Sequence, residues 1–254
     1  MKTILSAIAL GVTLACAGAP AWAVNTVTIK QTGQDNNANT EQQATINATA
    51  TTIQNGNQNS AGAPKTATGG IQQKYSSDVT ATINQNGNAE VAAITQLYSL
   101  YSTAQVVQAG SSNNGAITQE NASNSTANIS QNGAGNNATV TQKNIDSFNG
   151  IPIYATVGIT QTGSLNTAAA TQEGGGAQIS KTVQSGMNNN ATTNQSGGGH
   201  ESSITQAGLS NVATSLQGGI GQYSAITQSG NFDVANVTQT GNTNRFTPRE
   251  TLNN

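Results

Sequence analysis

The chain has 254 residues, of which 7% are charged and 4% aromatic, with a net charge of −2 and a single cysteine. Ordinary domains carry about 25% charged residues, so this composition argues against a basic nucleic-acid interface or a surface that steers charged ligands. Large apolar residues are too sparse for a thick core, and one cysteine cannot build a disulfide frame in its place.

The first 23 residues read as a secretory leader outside the fold. Lys2 supplies a positive start, an apolar stretch runs from Ile4 to Ala17, and Ala21-Trp22-Ala23 fits a small-x-small cleavage site. The mature chain is expected to begin at Val24. Cys16 raises the question of lipidation, but Thr13 stands where a lipoprotein signal normally has leucine. No later stretch supplies the about 20 apolar residues of a transmembrane helix.

From Val27 onward glutamine sets a beat. It falls at Gln31, Gln42, Gln54, Gln85, Gln96, Gln108, Gln119, Gln131, Gln142, Gln161, Gln172, Gln184, Gln195, Gln206, Gln217, Gln228 and Gln239, the last six spaced eleven apart. An aliphatic residue stands two before many of them, as in Ile83-Asn84-Gln85, Ile94-Thr95-Gln96 and Ile226-Thr227-Gln228. That alternation is the signature of a strand with Ile and Gln on one face. Two after alternate glutamines come Gly33, Gly56, Gly87, Gly110, Gly133, Gly163, Gly186, Gly208 and Gly230, read as turn glycines. Five after come Asn36, Asn59, Asn113, Asn136, Asn166, Asn189 and Asn211.

Each beat therefore predicts strand and turn, and two beats predict one flattened coil of 22–23 residues. The fold class expected is an all-β solenoid of nine such coils. At about 4.8 Å per coil the stack is a rod roughly 43 Å long. Two intervals are seven or eight residues too long, which places surface excursions near residues 62–78 and 143–152. The repeats are expected to fill residues 24–246, with a tail at 247–254.

In-register stacking would set every inward Gln and Asn above its equivalent, so that their amides hydrogen-bond along the axis. A buried amide lacking such neighbours costs about 1–3 kcal/mol. The end coils lack them unless another molecule supplies them.

The unit Gln131, Gly133, Asn136, Ala138, Val140, Gln142, repeated as Gln161, Gly163, Asn166, Ala168, Ala170, Gln172, resembles the repeat of the curlin family, subunits of curli fibres. Ser102 and Ser125, six before Gln, also match that repeat. The resemblance spans Val27 to Phe246. It implies an extracellular amyloid fibre of stacked β-solenoid subunits, polymerising with itself or with a related curlin subunit, and contributing to biofilm matrix and adhesion. It further implies export through an outer-membrane pore and a cell-surface nucleator. The chain departs from the family in lacking a non-repeat export segment before the repeats, and in its extra coils.

No enzyme, cofactor or metal site is expected. His200 occupies an Asn position of the repeat, with no second histidine to join it. Asp35, Glu41, Glu90, Glu120, Glu173, Glu201 and Asp233 are scattered about one per unit, as charges that limit lateral sticking. Gly174-Gly175-Gly176 and Gly197-Gly198-Gly199 lack the Gly-Lys-Ser/Thr of a phosphate loop. A rival reading is a monomeric adhesin, or an ice- or polysaccharide-binding module. It would use outward rows of Thr95, Thr118, Thr141, Thr160, Thr171, Thr205, Thr227 and Thr238, which are also simply good strand formers. Finally, Arg245 and Arg249 are the only arginines, and Pro248 between them cannot donate to a sheet. Such a tail is expected to guard the C-terminal edge, to hold it for one partner such as a nucleator, or simply to fray.

Overall fold

The structure is a computed structural model that describes residues 12–15, 24–61, 70–145, 154–246 and 249–250. It is all-β, with no helix among the described residues, and its strands stack as a β-solenoid of about nine turns. One sheet runs from Thr26–Thr32 through Thr49–Asn57 and Thr80–Asn88 to Tyr223–Asn231; the facing sheet runs from Thr40–Gln43 through Gly70–Lys74 and Val91–Leu97 to Val234–Asn242. Neighbours are parallel and set like on like, with Gln85, Gln108, Gln131 and Gln161 in one file.

The alternation in sequence becomes alternation in burial. In Thr80–Asn88, Ala81, Ile83 and Gln85 are buried while Thr82 and Asn84 face out. The core is thus one side chain deep from each sheet. Its apolar part falls into a large cluster reaching Ala168 and Ala170, a small one of Ala191, Ile204, Ala213, Ile226 and Val237, and a third of Ala122, Ile145 and Ala155. Between the first two the inward positions hold Ser180, Thr182 and Thr193, all buried. Ser180 Oγ and Thr182 Oγ1 have no hydrogen-bond partner. This polar seam is a weak layer, because an unpartnered buried hydroxyl forgoes its bond to water.

The glycines two after Gln are not turn residues. Gly56, Gly87, Gly110, Gly133, Gly163, Gly186, Gly208 and Gly230 lie inside strands, and Gly33 in a bend just after Thr26–Thr32. They are needed for close stacking: Gly133 has φ +131°, and a Cβ there would overlap the carbonyl oxygen of Gly163. The left-handed turn residue comes four after Gln and is usually not glycine, as at Asp35, Gln58, Ala89, Ser112, Leu165 and Phe232. Such a residue costs about 1–2 kcal/mol in that conformation, so the arc must be held by other bonds. The opposite arc is wider in the early coils, with two left-handed residues each, Tyr75 and Asp78, then Tyr98 and Tyr101, then Asn121 and Asn124.

Described residues reach into both of the ranges where excursions are expected. Gly70–Lys74 is a strand paired with Thr40–Gln43 and with Val91–Leu97, so of the expected loop at 62–78 only 62–69 falls outside the described residues. Lys143 ends a strand and pairs with Glu173, and Ile145 is buried. The rest of the expected excursion at 143–152, residues 146–152, lies outside the described residues.

Each end carries a short extra strand. Val12–Ala15, in the stretch read as leader, pairs with Thr40–Gln43. The last long strand ends at Asn242, and Arg245–Phe246 and Arg249–Glu250 pair with the Tyr223–Asn231 strand at the 22-residue step of the preceding coils. No helix among the described residues is long and apolar enough to cross a membrane.

Thr182→Val keeps the shape and removes an unpartnered hydroxyl. It should raise unfolding stability by about 1 kcal/mol, read as a higher midpoint in denaturant with unchanged slope.

Candidate functional site: two amide ladders and the open faces they end on

Period-two alternation turns each Gln of the beat inward near the end of its strand, so the two sheets place their Gln files at opposite ends of the core, each beside the start of the facing strand. Gln31, Gln54, Gln85, Gln108, Gln131, Gln161, Gln184, Gln206 and Gln228 form one ladder of eight bonds, each Nε2 donating to the next Oε1 at 2.7–3.0 Å. Gln42, Gln73, Gln96, Gln119, Gln142, Gln172, Gln195, Gln217 and Gln239 form the other, at 2.8–3.1 Å. Gln73 was missing from the beat counted in the sequence. Its signal was present in Ile71-Gln72-Gln73, the same aliphatic-x-Gln step as its neighbours.

All these bonds point one way, and a third group fixes their direction. From Gln42 and Gln54 onward each Nε2 also donates to a backbone carbonyl across the core: Gln108 to Val91 (2.9 Å), Gln131 to Asn114 (3.0 Å), Gln195 to Ile179 (2.8 Å), Gln239 to Tyr223 (3.0 Å). Flipping an amide would set oxygen against oxygen at that contact, so the ladders are directional.

The Asn positions staple the first arc. Asn113 Nδ2 donates to the carbonyls of Ala109 and of Gly133 one coil on, and its Oδ1 accepts from the backbone N–H of Asn136. Asn36, Asn59, Asn136, Asn166, Asn189 and Asn211 likewise donate to the carbonyl of the Gly one coil on, and each Oδ1 accepts the N–H of the next arc residue. Glu90 and Asp233 take the two remaining places of this column, both buried. The later coils build a similar column in the opposite arc that was not identified as one from sequence. Gln222 donates to Gly218 (2.8 Å) and Asn244 to Thr240 (2.8 Å), while Gln178 reaches Gly174 (3.0 Å). Gln222 and Asn244 stand five after a Gln, the same offset as the Asn series. His200 belongs here: its Nε2 lies 3.1 Å from the Ser196 carbonyl and its Nδ1 accepts from Gln222 N–H at 3.4 Å. The ring acts as an Asn substitute.

The acidic residues do not converge. Glu41 pairs with Lys74 (2.9 Å) and Glu120 with Lys143 (3.1 Å), each between coils on the surface, where such pairs contribute little. The threonine file Thr95, Thr118, Thr141, Thr171 is interrupted by Asn194 and Leu216, and its neighbouring file mixes Ala93, Ala116 and Ala169 with Thr139. No continuous double row of hydroxyls results.

The ladders end on two unlike faces. At the N-terminal face the acceptors lack donors, and Gln42 Oε1 is buried without a partner. At the C-terminal face the Nε2 groups of Gln228 and Gln239 each bond one carbonyl, and among the described side chains neither donates to a further rung. Asp233 Oδ2, at the end of the Asn column, is buried and unpartnered. No known family matches the chain, and no curated protein matches it significantly.

Two predictions follow from the site's chemistry. Gln73→Leu interrupts a ladder and should lower stability by about 1–3 kcal/mol, whereas deleting residues 62–69 should change it by less than about 1 kcal/mol; chemical denaturation separates the two. Glu90 accepts Asn113 N–H and Nδ2–H at 3.0 and 3.2 Å. Burial pushes its carboxyl above the usual range, the Asn113 bonds opposing that shift. The folded state thus holds this proton more tightly than the unfolded chain, so the stabilisation is full in acid and is lost as pH rises through the raised value. Glu90→Gln should therefore be the more stable protein at pH 7, by roughly 1 kcal/mol, with the gap closing toward about pH 4 in melts across that range.

Proposed function

We propose that this chain is the structural subunit of a curlin-like extracellular amyloid fibre, growing by end-to-end stacking and serving as matrix scaffold and adhesion surface. The observation that carries the reading is the complementarity of the two faces. The N-terminal face offers Gln Oε1 acceptors and the first N–H of the Asn column, at Asn36. The C-terminal face offers Gln N–H donors and the Asp233 carboxylate. A second copy set head to tail matches Gln31 to Gln228, Gln42 to Gln239 and Asn36 to Asp233, and continues both backbone ladders. Like faces would oppose oxygen to oxygen or N–H to N–H. Open parallel edges with matching amides are the chemistry of cross-β growth.

Residues 1–23 act as a leader, and their removal frees the edge of Thr40–Gln43 that Val12–Ala15 covers. The curlin resemblance supports passage through an outer-membrane pore and nucleation at the cell surface.

Purified protein beginning at Val24 is expected to form dye-binding fibres diffracting at about 4.7–4.8 Å along the axis and about 10 Å across it. A protein that stays folded and monomeric for days at tens of micromolar would reject the fibre reading in favour of a monomeric adhesin.

A further inference from the structure

The first-sheet edge of the C-terminal face is already occupied. Arg245–Phe246 lies opposite Tyr223 and Ser224, and Arg249–Glu250 opposite Thr227 and Gln228. Tyr223 N–H donates to the Asn244 carbonyl at 2.9 Å, and the Arg245 guanidinium sits 5.0 Å from the centre of the Tyr223 ring. Continuing the Gln-on-Gln register by one coil identifies which residues of a second copy would meet the same positions. Thr26 would face Tyr223, Val27 would face Ser224, Lys30 would face Thr227 and Gln31 would face Gln228.

In this register Arg245 and Phe246 take the places of Thr26 and Val27, and Arg249 and Glu250 those of Lys30 and Gln31. Phe246 stands for Val27, in register with buried Ser224. Arg249 stands for the cation Lys30. Glu250 stands for Gln31, and a carboxyl group has no amide N–H to pass up the ladder. The sequence between them includes Pro248, which has no N–H to give a further strand. The facing-sheet edge, Val234–Asn242, is left open beside a cleft of about 440 Å³ lined by Val237, Gln239, Thr240, Arg245 and Phe246.

We propose that the edge of Tyr223–Asn231 is the docking surface for Thr26–Thr32 of a second copy, and that residues 245–250 are a built-in stand-in for that strand. The proposal rests on the fibre reading above. An arriving copy engages the open Val234–Asn242 edge first and then displaces the tail, so the C-terminal face is gated.

The test compares the full mature chain, the chain ending at Asn244, and Phe246→Asp in the full chain. Amide exchange across Tyr223–Asn231 is read in the monomer, and fibre growth is followed at matched concentration. Truncation and Phe246→Asp should each speed exchange at this edge by about tenfold or more and shorten the growth lag by at least about threefold. Unchanged exchange overturns the tail's place on the edge. Faster exchange with lag and growth unchanged overturns the competition with a second copy. If none of the three forms fibres, the fibre reading fails and the docking fails with it, while exchange still decides whether the tail covers the edge.

Discussion

A buried side-chain amide must find both a donor and an acceptor, and this chain buries one on each sheet of every coil. Water cannot serve them in a core one side chain deep. The only partner that recurs reliably is the same residue one coil away, which requires parallel strands in strict register. Register in turn fixes much else. The backbone must pass closely over itself at Gly133 and Gly163, which excludes a Cβ there. The space between the sheets admits only Ala, Ile, Val and small hydroxyl residues in the files that include Ala81, Ile83 and Ile94. The sparse apolar composition is therefore a consequence of the ladder, and the absence of disulfides is compatible with it.

The arcs show how far the pattern bends without breaking. Their demand is narrower than "asparagine": a side chain must satisfy a carbonyl four residues back or receive the next coil's N–H. Asn113 does both, His200 meets it with an imidazole, Gln222 with a longer amide. Glu90 receives the N–H but has no hydrogen to return when ionised, which is why its proton matters. In the early coils serine hydroxyls take over, Ser102 Oγ donating to the Ala122 carbonyl at 2.7 Å and accepting from Ser125 N–H at 3.3 Å.

The solenoid and nearly all of its ladder were legible in the sequence, because the Gln beat reports the coil directly and needs no hydrophobic signal. What escaped was local. Gln73 was hidden because counting alternate glutamines assigned the whole lengthened interval to a loop, although the strand motif resumes at Ile71. The spacing of the glycines looks like turn chemistry, whereas the steric demand comes from a coil 22 to 31 residues away. The left-handed residues, from Asp35 to Phe232, carry no common side chain, since the arc bonds and not the residue type hold that conformation. The tail's strand character was masked by Pro248 and its charges, and emerges only against Thr26–Thr32.

The polar seam at Ser180, Thr182 and Thr193 has a mechanical meaning. Backbone bonds and amide rungs repeat at every layer, so resistance to axial pulling is nearly uniform along the rod. Apolar contact is not: it lapses where the large cluster ending near Ala170 meets the small one beginning at Ala191. Under tension the solenoid yields at this layer, while the coils on either side keep their packing.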